Sequence, residues 1–120
     1  MRRDYASLLI VDTKSNESYR IRFTAFVTEK MLNGIKYVYL HKTDNHIIVT
    51  PLSDEWKAEQ NPYAIPIHRI DRGKAAAISL NNLVKNERWL PKGFFGKRYK
   101  VKRDKKGKIY ICLKEEVTDD

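Results

Sequence analysis

Basic side chains crowd one window of this chain. Between residues 85 and 108 stand Lys85, Arg88, Lys92, Lys97, Arg98, Lys100, Lys102, Arg103, Lys105, Lys106 and Lys108, against only Glu87 and Asp104. A cluster of cations this dense is either a solvated face that keeps the protein soluble or a surface for a polyanion; the second is the expectation, with nucleic acid as the partner. Arg98, Lys100 and Lys102 alternate with Tyr99 and Val101, the period of a strand, so three cations leave one face about 6.6–7 Å apart. That spacing is close to the phosphate repeat along a single nucleic-acid strand. Lys105, Lys106 and Lys108 carry the charge around a turn, and Tyr110 follows as a ring that either stacks on a base or covers sheet.

Other chemistry is sparse. His41, Asp44 and His46 lie close together, the residue types a small ribonuclease would use for proton transfer, but such residues are also ordinary in turns. We expect no catalytic residues. A metal site at His41 and His46 lacks further ligands at suitable spacing, the five glycines are too scattered for a phosphate-cradling loop, and no cofactor is expected. Trp89, Phe94 and Phe95 interrupt the basic window and are expected as core and loop anchors more than as stacking platforms.

The whole chain, 120 residues with 24 Lys+Arg against 15 Asp+Glu, carries a formal charge of +9. Residues 1–60 hold 9 of the basic and 8 of the acidic residues, so nearly all of the excess falls in the second half. With 42% hydrophobic and 32% charged residues, the composition is that of a folded domain able to form a core without disulfides. The single Cys112 excludes an intramolecular disulfide framework. No apolar run approaches the roughly 18 residues of a membrane helix, and a soluble, cytoplasmic protein with no membrane partner is expected.

These residues need a scaffold, and most of it reads as β. Tyr5 to Val11 and Tyr19 to Val27 are strands, the latter with Tyr19, Ile21 and Phe23 alternating against Arg20 and Arg22. Residues Thr28 to Gly34 read as one or two helical turns capped by Thr28, and Ile35 to His41 with Ile47 to Thr50 as a hairpin around Thr43-Asp44-Asn45. The alternation of Tyr37 and Tyr39 with Val38 and Leu40 predicts a strand buried on both sides. Ser53 to Gln60 reads as a helical turn capped by Ser53 and anchored by Trp56. Pro66 makes Tyr63 to Ile70 an edge strand. Asn81 to Trp89 reads as a further short helix. Lys97–Arg103 and Lys108–Leu113 form a second hairpin around Asp104-Lys105-Lys106-Gly107, one face apolar and the other cationic, with Cys112 and Tyr110 on the latter. The fold class is α+β, mostly β: a small barrel or paired-hairpin sheet with two short helices, in a single domain spanning 1–120.

Laid over one another without gaps, Tyr37–Leu52 and Arg98–Leu113 pair at an offset of 61 residues, Val38 on Tyr99, Leu40 on Val101 and Ile48 on Ile109. The implied pseudo-repeats run from about 19–52 and 70–114, each a strand, a short helix and a hairpin. The run from Ile70 through Asp71-Arg72-Gly73-Lys74 to Val84, followed by Gly96 to Leu113, resembles the swapped-hairpin proteins of the AbrB, MazE and MraZ type. The family's Gly-Arg pair is Gly73-Lys74 here, the proline that opens its helix is absent, and the Asp-x-x-x-Arg motif of its two-copy members is unmet at Ala75. The resemblance implies DNA rather than RNA as the ligand, a homodimer, and binding through basic hairpin residues; Lys74 joins the binding set.

The expected function is therefore non-catalytic nucleic-acid binding by a small transcriptional or post-transcriptional regulator. The alternatives are an RNA-binding small barrel of the PUA type, a phage- or plasmid-type interaction module docking on an acidic protein, and a small ribonuclease toxin. A two-stranded ribbon would enter a major groove, whereas a barrel face would meet a single strand.

Overall fold

Alternating apolar residues build several of the longer strands. The computed structural model describes residues 4–12, 17–81, 83 and 90–118. In chain order the elements are β1 (Tyr5–Asp12), β2 (Glu17–Phe23), α1 (Ala25–Met31), β3 (Tyr37–Lys42), β4 (His46–Leu52), α2 (Glu55–Gln60), β5 (Ile65–Pro66), β6 (His68–Ile70), β7 (Ala75–Ser79), a 3-10 turn (Lys92–Phe94), β8 (Lys97–Arg103) and β9 (Ile109–Glu116). Asn81 and Leu83 are helical; the rest of the helix expected at 81–89 lies largely outside the described residues.

The strands form one antiparallel sheet in the order β5-β3-β4-β9-β8-β1-β2-β7-β6. Its two ends belong to one stretch of chain. β5 pairs with β3 and β6 pairs with β7, with only Ile67 between them, and the Ile67 N–H donates to the Lys36 carbonyl at 2.8 Å. The sheet is thus a nearly closed small barrel. Pro66 sits where its missing N–H costs no internal ladder bond, in a half-strand terminal in the sheet order. Inside lie Leu8, Ile21, Phe23, Val38, Ile47, Ile78, Ile109 and Ile111, all fully buried, each contributing about 1.5–3 kcal/mol by leaving water.

The pairings follow a two-fold pattern. Ile21 of β2 faces Ile78 of β7, and Ile48 of β4 faces Tyr110 of β9. Around these two pairs the hairpins alternate: β3–β4, β9–β8, β1–β2, β7–β6. The first hairpin turns through residues 43–46, between the pair Lys42 and Ile47, whereas the second turns through 104–108, between Arg103 and Ile109. The extra residue means that the ungapped overlay keeps its faces up to the loop, with Val38 and Tyr99 both buried, and loses them after it. Half-buried Ile48 then falls on fully buried Ile109.

Several local expectations are corrected. The N-cap of α1 is Thr24, whose extended backbone frees its hydroxyl to accept from the Val27 N–H at 3.2 Å. Thr28 lies inside the helix, buried, donating to the Thr24 carbonyl at 2.8 Å. The cap of α2 is Asp54, not Ser53. Trp56 anchors nothing: a six-residue helix turns only one side inward, that side is Ala58, and Trp56 is 70% exposed. β3 is covered on one face only, Tyr39 being 39% exposed.

Cys112 is also corrected, from the solvent face to the interior. Between the pairs Val101–Ile111 and Tyr99–Glu116, β8 advances two residues while β9 advances five. Through this bulge β9 follows β4 instead, pairing Cys112 with His46 and donating from Leu113 N–H to the Asn45 carbonyl at 2.9 Å. Ile111, Cys112 and Leu113 are all buried as a result.

Candidate nucleic-acid interface

The strand period of β8 does what its sequence dictates. Tyr99 and Val101 are each 2% exposed, and Arg98, Lys100 and Lys102 stand on the opposite, outer face. The Arg98 guanidinium carbon lies 5.2 Å from the centre of the Tyr5 ring, a cation–π contact that orients the side chain across β1. Lys102 pairs with Glu115 at 3.2 Å and Lys97 with Glu116 at 3.8 Å, each partner about half-exposed. Pairs of that exposure are weak, so a polyanion competes with them readily. The Lys102 ammonium, together with a hydrogen bond from Cys112, holds the Glu115 carboxyl below its ordinary range. Burial first, then the neighbouring Glu115, pushes the Cys112 thiol up.

Strand pairing adds a residue that linear reading missed. Arg22 of β2, Ser7 of β1 and Arg98 of β8 are successive partners in one row across the sheet, and Tyr5 partners Lys100 in the next. Two strand spacings place Arg22 about 10 Å from Arg98. Arg20, opposite Leu9, lies one outer position further along β2. The period of two in Tyr19 to Phe23 announced that these arginines face outward. Nothing local announced that β1 would set them beside a strand more than 70 residues later.

Lys74 belongs to this face rather than to the hairpin. A cleft of about 420 Å³ is lined by Tyr5, Ser7, Arg22, Thr24, Asp71 and Lys74. Its rim is the turn after β6, in which Asp71, Arg72 and Gly73 have φ of 51°, 60° and 84°. Left-handed backbone at two non-glycine residues is strained, and the ion pair between Arg22 and Asp71 helps hold it. Tyr5 is common to the cleft and to the Arg98 contact, so Lys74 and Arg22 border the same stretch of surface as Arg98, with the Asp71 carboxylate paired to Arg22 within it.

The hairpin turn is organised by Asp104. Its Oδ1 accepts from the backbone N–H groups of Lys106 and Lys108, at 2.9 Å each, and its Oδ2 accepts from the Tyr110 hydroxyl at 3.2 Å. Desolvation would raise this carboxyl, but the three donors and the Lys108 charge outweigh it and the group sits below its ordinary range. Desolvation and Asp104 together raise the Tyr110 phenol. Lys105, Lys106 and Lys108 project into solvent around the turn, and Gly107 takes the positive φ of 87° it requires.

One expected cation, Arg103, is exposed yet donates within the molecule, as does Arg69, which lies outside the expected set. Arg103 donates to the Lys30 carbonyl at 2.9 Å and Arg69 to the Leu32 carbonyl at 3.0 Å. Both therefore satisfy the C-terminal carbonyls of α1, where a positive charge also meets the negative end of the helix. Lys92 opens the 3-10 turn; Lys85 and Arg88 lie outside the described residues, as does Trp89. Phe95 is buried with its ring edge on Tyr19 at 5.2 Å, and Phe94 packs against Tyr99.

Tyr110 stands on the outer face, part-exposed. It lies in a second row: His41 of β3, Ile48 of β4, Tyr110 of β9 and Lys102 of β8 are successive partners. The His46 ring meets Tyr110 nearly perpendicularly, with centres 5.7 Å apart. Among the described residues no three His, Cys, Asp or Glu side chains gather as a metal site, and no helix is long and apolar enough to cross a membrane. Compared with known protein families, with curated proteins and with solved structures, the chain matches none of them.

Proposed function

We propose that the protein binds nucleic acid without catalysing a reaction, as a small regulator, through the outer face of β8 and its continuation over β1 and β2. One observation carries this reading. Two hairpins that lie side by side across β4 and β9 differ in charge: β8 turns Arg98, Lys100 and Lys102 outward where β3 turns Tyr37, Tyr39 and His41. Charge that served only solubility would have no reason to gather on one of these neighbouring hairpins and to be joined there by Arg22 and Lys74.

The shape bears on how the ligand is met. The molecule measures 36 × 35 × 32 Å, and both strands of the basic hairpin have neighbours on either side, β1 beside β8 and β4 beside β9. A ribbon inserted into a major groove has to stand clear of its domain; a strand embedded in a barrel offers a surface. Hairpins alternate around the sheet, as they do in any antiparallel sheet built from hairpins. Here the neighbouring hairpins come from one chain, and the reading needs no second copy.

The test is a titration of labelled duplex and single-stranded DNA and RNA at rising salt. Neutralising about 5–8 phosphates gives a slope of log affinity on log salt of about −4 to −7 on a duplex, and a shallower one on a single strand. No detectable binding to any of them at about 50 mM salt would overturn the reading in favour of an acidic protein partner.

A further inference from the structure

Resting on that reading, we infer that the ligand is single-stranded nucleic acid, its phosphates on Arg98, Lys100 and Lys102 and its bases stacked beside them on Tyr110. The inference comes from two features lying side by side. Along β8 the three cations repeat every second residue, about 6.6–6.8 Å apart, a rail along one extended backbone. Across from that rail, Lys102 has Tyr110 as its direct partner, then Ile48, then His41. The rail and the ring are one strand spacing apart, about 4.8 Å. A duplex turns its bases toward its own axis and shows a protein surface mainly phosphates and groove edges. Only an unpaired strand can lay its backbone on the rail and a base on the ring. A cationic track with an aromatic side chain next to it is the arrangement that holds single strands, because every base has a π-face.

The ring is also prepared for that use. Its hydroxyl is fixed by Asp104 at 3.2 Å and its orientation by His46, 5.7 Å away and perpendicular. Little side-chain freedom remains to be lost when a base arrives. Asp104 is itself fixed by the turn that carries Lys106 and Lys108, so the ring and the turn lysines form one rigid unit.

The experiment is fluorescence anisotropy with labelled mixed-sequence strands of about 12 nucleotides, single-stranded DNA, single-stranded RNA and the matching duplex, using the full chain and two variants. The expected result is single-strand binding about tenfold or more tighter than duplex binding. Tyr110→Ala should weaken single-strand binding by about 5- to 100-fold and leave duplex binding nearly unchanged. Tyr110→Phe keeps the ring and its contact with His46 and loses only the Asp104 bond, so it should lose far less single-strand binding than Tyr110→Ala. Equal or tighter duplex binding, or a Tyr110→Phe loss as large as that of Tyr110→Ala, would overturn the single-strand inference and leave nucleic-acid binding standing. No binding to any strand would overturn both.

Discussion

Replacing Arg98, Lys100 and Lys102 together by alanine separates the ligand-facing side of β8 from its core-facing side. The fold should lose little. Lys102 gives up one half-exposed pair with Glu115, about 0.2–1 kcal/mol, and Arg98 gives up its contact with Tyr5, about 0.5–1 kcal/mol. Lys100 has no ion pair among the described residues. The total is about 1–2 kcal/mol, a lowering of the melting temperature by about 3–10 °C in a domain of this size. Binding should lose much more. If each side chain meets one phosphate of a single strand, the salt slope flattens by about 0.7 per residue, about 2 units in all. Since that electrostatic contribution vanishes near about 1 M salt, 2 units correspond to a loss of about 100-fold at about 0.1 M. Melting followed by circular dichroism and anisotropy titrations across salt give both quantities. A variant with wild-type melting, affinity and slope would show that this face is only a solvated surface. A variant that fails to fold would show that the outer side of β8 is structural.

The core side of the same strand should behave oppositely. Val101→Asp places a carboxylate without a partner where Val101 is 2% exposed, and should cost about 3 kcal/mol or more, read as a collapse of the thermal transition. Thr24→Ala removes the hydroxyl that accepts from Val27 N–H and should destabilise by about 1 kcal/mol in a denaturant titration. The folded Asp104 carboxyl is more acidic than an unfolded one, so its stabilisation is complete above the unfolded pKa of about 3.9 and is lost as pH falls through the folded value. The melting-temperature gap between wild type and Asp104→Ala should accordingly narrow on acidification below about pH 4; a gap constant down to pH values near 2 would contradict that assignment. RNA incubated with the protein should stay intact. Cleavage abolished by His41→Ala or His46→Ala would instead make the protein a nuclease.

Strand period was legible wherever strands run straight. Tyr99 and Val101 went inward and the three cations outward, because a two-residue period and a buried face leave one arrangement open. The same logic failed at Cys112, where β9 leaves β8 to follow β4 and three consecutive residues are buried. A bulge of that kind depends on which neighbour offers the better ladder, and Asn45 and His46, some 66 residues upstream, made that offer. Trp56 misled for a related reason. Its size argued for burial, but a helix of six residues has room to bury one position, and Ala58 holds it.

The interface was legible in composition and hidden in topology. A linear window gathered Lys105, Lys106 and Lys108 correctly because a tight turn keeps sequence neighbours together. It also gathered Arg103, whose guanidinium is taken by the last turn of α1. It omitted Arg22, which reaches the face only because β1 bridges β2 and β8. Charge density along a sequence measures how many cations a segment has, whereas a ligand meets the cations that share a face. In a barrel those two sets differ by whatever the long-range pairings bring in and the local caps take away. Arg22 and Arg103 are therefore the informative pair. If the face is the binding site, Arg22→Ala should weaken nucleic-acid binding although it lies outside the basic window, and Arg103→Ala should chiefly lower stability although it lies inside it.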